Sequence, residues 1–384
     1  MIAIINGRFI LPDAKGDFAI VTDKAILCEG ERIAAIVDAQ EAAALPAESI
    51  IDAGGGYVAP GFLNVHVHGC DGMDTMDDDA QALPRMARLQ AKTGVTGFLP
   101  TTMTCAWTEV ETAFAHIRQC MQKQPEGARV LGAHMEGPFI SPAKKGAQAE
   151  ENIRQADFSL VEPWQDVVRI ITLAPEELPD PAFVASCEQA GITVSIGHTA
   201  ADYDTVMDAI ENHGVHHITH LYNAMTPFHH RNPGVVGAAL DSAANCEIIA
   251  DNVHAHPAAQ RLLYRAKGGR HIILITDSLR ACGIGDGPSE LGGQAVFVKG
   301  ELATLADGTI AGSVATMNRC VAHFWENTGA PLPLVIEMVT KTPAQELGLY
   351  EELGSLAVGK RADIVIFDDA VGIQRTIIGG KSLD

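Results

Sequence analysis

The sequence predicts an α/β protein, a (β/α)8 TIM-like barrel carrying a small β-sandwich domain formed by its N- and C-terminal segments. Three observations carry this expectation. Apolar, β-branched runs recur eight times with helix-period patterns between them, as in repeated βα units around a parallel sheet. Short strand patterns broken by turn residues occupy both ends of the chain. The conspicuous polar residues fall at the C-terminal ends of the apolar runs, where barrel enzymes gather their active sites.

The chain has 384 residues, enough for a barrel of about 250 residues plus a smaller attachment. Residues 1–56 read as strands over Met1 to Ile5, Phe18 to Leu27 and Arg32 to Val37, with Asn6-Gly7 and Glu29-Gly30 as turns. Residues 346–384 add strand patterns at Ala362 to Phe367 and Ile373 to Ile378. These two ends can pair into one sheet and together make the small domain.

Residues 57–345 make the barrel. Its strands are expected around Val58 to His66, Val95 to Thr101, Val130 to Met135, Val168 to Leu173, Ile192 to Ile196, His217 to His220, Glu247 to Ala250 and Ile272 to Thr276. In the gaps, Thr108 with Glu111 forms a capping-box pattern ahead of Val110, Phe114, Ile117 and Met121, which share one helical face. Asp79 can cap a helix carrying Leu83, Met86 and Leu89, and Gly94 can end it. A doubly wound open sheet would share these local patterns; the count of eight points to the barrel.

Composition narrows the partners. Hydrophobic residues at 47% and charged residues at 20% suit a folded chain with a sizeable core. The formal charge of −21, from 27 basic and 48 acidic side chains, repels nucleic acid and anionic membranes. An anionic small molecule would need cationic groups gathered locally. The cysteines at 28, 70, 105, 120, 187, 246, 282 and 320 form no C-x-x-C pair, which reads as reduced thiols in a cytoplasmic enzyme. No export signal and no apolar run near 20 residues is visible.

In His66-Val67-His68 the imidazoles are two residues apart, so on a strand they share a face and can meet one cation. Isolated, such a pair is more often two ordinary histidines; at a strand end it reads as ligands. Glu136 follows the third strand and is either a rim charge or a carboxylate able to bridge two cations. His198 and His220 end the fifth and sixth runs, whereas His213, His216 and His217 precede or begin a strand and read as structural. Asp277, after the eighth, is a cap, a ligand or the general base that takes a proton from a metal-activated water and returns it to the leaving group.

H-x-H after strand one, a carboxylate on strand three, single histidines ending strands five and six and Asp on strand eight resemble the amidohydrolase superfamily. The strings His134-Met135-Glu136-Gly137-Pro138-Phe139, Lys144-Lys145-Gly146-Ala147, Gly197-His198-Thr199, Thr219-His220-Leu221-Tyr222-Asn223-Ala224-Met225 and Ile310-Ala311-Gly312-Ser313 are similar, more narrowly, to the N-acetylglucosamine-6-phosphate deacetylase family. That likeness covers almost the whole chain.

The resemblance implies hydrolysis of an acetamide to an amine and acetate. It implies one metal on Glu136, His198 and His220, and, because His66 and His68 are present, a second metal bridged by Glu136, with Asp277 as base. The ligands suit zinc, iron, manganese or cobalt alike. Strand four offers no lysine for carbamylation in Arg169-Ile170-Ile171-Thr172-Leu173. Some family members carry a histidine where this chain has Gln148, which can donate a hydrogen bond but cannot carry a proton.

The phosphate pocket would map onto the backbone of Asn223 and Ala224, onto Arg231, whose planar fork suits phosphate, and onto His254. Ala147 and the Ile310-Ala311-Gly312 turn would line the sugar. A homodimer is implied, with Arg231 or the His229-His230 stretch reaching a neighbour's phosphate. The substrate expected is a phosphorylated N-acetyl amino sugar, with the glucosamine and galactosamine epimers undistinguished; the alternative is a different amide, such as a cyclic amide of related amidohydrolases, against which Arg231, His254 and the Asn223-Ala224 pair argue. The competing reading is a barrel that has lost catalysis and serves as a binding scaffold, and the complete ligand set argues against it.

Overall fold

The computed structural model describes residues 1–42 and 49–383. Its largest sheet has nine strands, eight of which make the barrel: β1 (Phe62–Val67), β2 (Val95–Thr102), β3 (Ala133–Glu136), β4 (Val168–Leu173), β5 (Thr193–Ile196), β6 (His217–Ile218), β7 (Asn245–Ile249) and β8 (Ile272–Ile275); the ninth, Arg129–Val130, is a short piece that pairs with β2 ahead of β3, so the expected run Val130 to Met135 is divided. Each barrel strand pairs in parallel with the next in chain order. Parallel neighbours need crossovers, and helices such as Ala82–Lys92, Tyr203–His213 and Pro257–Lys267 supply them. The seam between β8 and β1 is closed by main chain: Asp277 N–H donates to the His66 carbonyl and His68 N–H to the Ser278 carbonyl, both at 2.9 Å.

Alternation along the strands separates two cores. Ile171, Ile248, Ile272 and Leu274 join the cluster that contains the helix residues Phe114, Val206 and Leu263. Their neighbours Ile170, Ile249, Ile273 and Ile275 pack instead with Val65 and Leu99 inside the barrel. Glu247 lies two residues before Ile249 and therefore faces inward, as Thr172 does beside Ile170.

The two ends build a sandwich. One sheet runs Arg32–Asp38, Lys24–Glu29, Ile2–Ile5, Ser49–Asp52; the other runs Lys381–Leu383, Ile373–Ile378, Ile364–Phe367, Tyr57–Pro60, Arg8–Pro12, Phe18–Val21. Ile4, Phe9, Ile26, Ile33, Val58, Ile364 and Ile377 form their shared core. The run Val58 to His66, expected as one barrel strand, is two strands. Tyr57–Pro60 pairs antiparallel with Ile364–Phe367, so the sheet of the termini continues past the boundary expected at residue 56. The break falls at Gly61, where a Cβ would lie 2.2 Å from the Thr96 side chain; only glycine lets the chain cross so closely.

Local signals erred in smaller ways. Phe18 to Leu27 is two strands separated at Asp23, which has φ +59°. The helix Trp107–Gln122 begins one residue before the expected cap Thr108 and has no side-chain cap, because Trp107 is already in the first turn with its ring against Phe114. A three-stranded sheet, Gly287–Leu291, Gln294–Lys299 and Leu302–Thr304, follows β8 and was not anticipated. Among the described residues no helix is long and apolar enough to cross a membrane.

Candidate active site

The C-terminal ends of β1, β3, β5, β6 and β8 bring His66 and His68, Glu136, His198, His220 and Asp277 together at the barrel mouth. His198, His220 and Asp277 sit just past β5, β6 and β8 with φ of +47°, +28° and +48°. Left-handed backbone costs a non-glycine residue about 1–3 kcal/mol, and such strain concentrates at functional sites.

Glu136 is the hub. Its Oε1 lies 3.0 Å from His220 Nε2, 3.3 Å from His198 Nε2 and 3.4 Å from His66 Nε2, while its Oε2 lies 3.3 Å from His68 Nε2. Asp277 Oδ1 stands 3.2 Å from His68 Nε2 and 3.4 Å from His66 Nε2. His66, His68 and Glu136 form one group of ligand atoms within 4.8 Å of one another, and Glu136, His198 and His220 form another. The six expected ligands therefore meet in one place, with Glu136 common to both groups.

This donor set fits a divalent metal. His66 Nε2 is fully buried without a hydrogen-bond partner among the described residues although it faces two carboxylates, an arrangement that suits a lone pair aimed at a cation. Three of the four histidines are anchored through the other nitrogen, His68 Nδ1 to the Thr101 carbonyl at 3.2 Å, His198 Nδ1 to the Lys144 carbonyl at 3.0 Å, and His66 Nδ1 to Glu247 Oε2 at 2.9 Å, whereas His220 Nδ1 has no hydrogen-bond partner among the described residues. Such anchoring fixes the tautomer and aim of a metal-binding imidazole.

The electrostatics are those of a dense ionic cluster. Burial disfavours a charged His68, but hydrogen bonds with Asp277 and Glu136 outweigh it and push the imidazole up to about 10. Burial likewise opposes charge on Glu136, and protons on His198 and His66, which a bound cation would displace, hold its carboxyl well below the usual range. Asp277 is also held ionised against burial by His66 and His68. His134 behaves oppositely: burial, with the neighbouring His66 charge, drives it down to about 3. It stays a neutral ring spanning the Val65 carbonyl at 2.8 Å and Thr172 Oγ1 at 2.7 Å.

Above the ligands lies a cavity of about 190 Å³ lined by Ala147, Gln148, Asn223, Ala224, His254, Ile310 and Gly312 together with His68, Glu136, His198, His220 and Asp277. His254 Nδ1 is held by Asp251 Oδ2 at 2.7 Å. The unanticipated sheet closes one wall through Leu291, and Gln294 Nε2 donates to the Ala147 carbonyl at 2.6 Å.

Three expected contacts differ. Asn223 N–H, expected to donate to phosphate, is spent on the His220 carbonyl at 3.0 Å, because the turn after β6 closes on itself. Ala311 is buried behind the cavity wall, its N–H given to the Ala303 carbonyl. Arg231 is exposed outside its own chain's cavity, its Nη1 2.7 Å from His230 Nε2. Sequence reasoning passed over Glu247, which is fully buried against His66, and His217, which it read as merely structural. A glutamate inside the apolar run Cys246-Glu247-Ile248-Ile249 was the available signal.

A closed parallel barrel with imidazoles and carboxylates converging at its C-terminal mouth defines a metal-dependent barrel hydrolase, and residues 57–383 match the Amidohydrolase family, to which the chain belongs. It is 40% identical over 344 residues to the N-acetylglucosamine-6-phosphate deacetylase of Bacillus subtilis (strain 168), covering 88% of this chain and 85% of that one. It is 37% identical to the N-acetylgalactosamine-6-phosphate deacetylase of Escherichia coli O157:H7, covering 84% and 87% of the two chains. The crystal structure of N-acetylglucosamine-6-phosphate deacetylase from Pasteurella multocida superposes with a TM-score of 0.92 over 99% of both chains, at 31% identity.

Proposed function

We propose that this chain hydrolyses the acetamide of N-acetyl-D-glucosamine 6-phosphate to D-glucosamine 6-phosphate and acetate, in amino-sugar catabolism or cell-wall recycling. The observation that carries it is the convergence of His66, His68, Glu136, His198, His220 and Asp277 on one point beneath a cavity of sugar size. In this reading the enzyme is a cytoplasmic homodimer with two divalent ions per chain. His66, His68, Glu136 and Asp277 hold one, and Glu136, His198 and His220 the other. The two-unit division, a terminal sandwich and a barrel, belongs to the same reading.

When bound, the ions polarise the amide carbonyl and lower the pKa of the attacking water. The remaining work falls to side chains. Asp277 accepts the proton of the attacking water and delivers it to the departing nitrogen, the role its ionised carboxylate at the mouth suits. Gln148 Nε2 donates to Glu136 Oε2 at 2.5 Å and holds that carboxylate in place. His254, anchored through Nδ1, presents Nε2 to the phosphate end, joined by Ala224 and by Arg231 of the neighbouring subunit. Ala147, Ile310 and Gly312 press on the sugar ring and exclude water.

The galactosamine epimer is the second reading, favoured by the 37% identity to the Escherichia coli O157:H7 relative. The deciding experiment measures acetate release from both 6-phosphates, with metal analysis of the same sample. Turnover of neither sugar would overturn the proposal, and a preference for the galactosamine epimer would replace it with the second reading.

A further inference from the structure

Glu247 is fully buried in an otherwise apolar stretch of β7. An unpaired carboxylate there would cost several kcal/mol, and this one meets three donors. Its Oε2 takes His66 Nδ1–H at 2.9 Å and the backbone N–H of His220 at 3.2 Å; its Oε1 takes His217 Nε2–H at 3.0 Å. A single side chain thus grips one member of each ligand group, the ring of His66 and the main chain of His220.

The grip on His66 is unlike those on its neighbours. His68 and His198 lean on backbone carbonyls, which any residue at those positions would provide. His66 alone leans on a carboxylate, and donating Nδ1–H to it leaves the Nε2 lone pair facing Glu136 and Asp277. Among the described residues Glu247 is the one acceptor hydrogen-bonded to His66 Nδ1. The nearby His134 spends both nitrogens elsewhere, its ring 4.5 Å from that of His66. Glu247 is itself fixed from below by His217, whose Nδ1 is 2.9 Å from Glu346, which in turn takes Asn245 Nδ2 at 2.5 Å. The series Glu346, His217, Glu247, His66 runs from the C-terminal helix Lys341–Glu346 through the barrel to its mouth.

We infer that Glu247 is the positioning residue that loads the His66–His68 ion, so that it decides whether the centre works with one cation or two. This rests on the two-ion reading above. Carboxylate partners of metal-binding histidines are typically worth 10- to 100-fold in metal affinity. The His198–His220 ion depends on Glu247 only through a backbone amide and should be spared.

The test is titration of metal-free protein with Co2+, followed by visible absorption and by metal content after passage through a chelator-buffered column. The wild type should bind two equivalents. Glu247→Gln should keep one at near wild-type affinity and bind the second about 10- to 100-fold more weakly, with kcat lowered and KM little changed. The thermal midpoint of the metal-free proteins reports any general damage. Should Glu247→Gln fail to fold, Glu247→Asp, which keeps the charge but shortens the reach, should show the same selective loss. Two ions at wild-type affinity in the variant, or equal weakening of both, would overturn the inference. A wild type that binds one equivalent would overturn the two-ion reading itself, and this inference with it.

Discussion

Gln148 Nε2 donates to Glu136 Oε2 at 2.5 Å while Gln148 Oε1 accepts the Thr104 backbone N–H at 2.6 Å. The amide is thereby locked in one orientation, with its donor end on the carboxylate shared by both ligand groups. Gln148→Ala removes a charge-assisted hydrogen bond of about 1.5–3 kcal/mol. We expect kcat/KM for acetate release to fall roughly 10- to 100-fold. Gln148→Glu should be worse than Gln148→Ala, since it sets a second carboxylate against Glu136. Equal rates for wild type and Gln148→Ala would remove Gln148 from the working site.

Asp277→Asn keeps the shape of the side chain and abolishes its capacity to take a proton. The expected loss in kcat is about 10²- to 10⁴-fold, with protein-bound metal largely retained because His66, His68 and Glu136 remain. Single-turnover acetate release and metal content on one preparation check both halves. Ordinary turnover by Asp277→Asn would exclude Asp277 as the base.

Gly61 marks the crossing from sandwich to barrel, with no room for a Cβ beside Thr96. Gly61→Ala should destabilise the fold by about 1–3 kcal/mol through overpacking, read as a lower denaturant midpoint at unchanged slope. Pairing it with Thr96→Ala should recover part of the loss. A Gly61→Ala chain as stable as wild type would mean the two segments can separate freely.

Asp202 precedes the helix Tyr203–His213 and accepts the Thr205 backbone N–H at 2.9 Å, a bond that lowers its carboxyl pKa. Its folded pKa lies below its unfolded one, so its contribution is present above the unfolded value, about 3.9, and fades as pH falls through the folded value. Asp202→Ala should therefore cost about 1 kcal/mol at pH 7 and progressively less below pH 4. Urea unfolding of both proteins across pH 2.5–7 tests this, and a constant difference would assign the effect to something other than the charged cap.

Much of the barrel was legible because each strand needed only a short apolar run and because its chemistry follows immediately in sequence: His66 and His68, His198, His220 and Asp277 all end such runs. Tertiary pairing was harder to read. Tyr57–Pro60 and Phe62–Val67 look like one apolar run, and only the partners available to each, Ile364–Phe367 for the first and Val95–Thr102 for the second, divide them. The sheet over the site was missed because Gly287–Leu291 alternates weakly and has one buried residue. Glu247 was missed for a different reason. Its significance lies in what the barrel brings to it, and neither His66 nor His217 is near it in sequence.

The main-chain seam that joins Asp277 to His66 has a consequence during synthesis. A polypeptide leaves the ribosome from its N-terminus, so His66 and His68 emerge long before the strand that supplies their opposing carboxylate. Until β8 is released and docks against β1, the nascent chain holds these imidazoles without Asp277, and under the proposed role of Asp277 as base it is expected to be catalytically silent. The same expectation extends to any truncated product of interrupted translation or proteolysis that ends before Asp277.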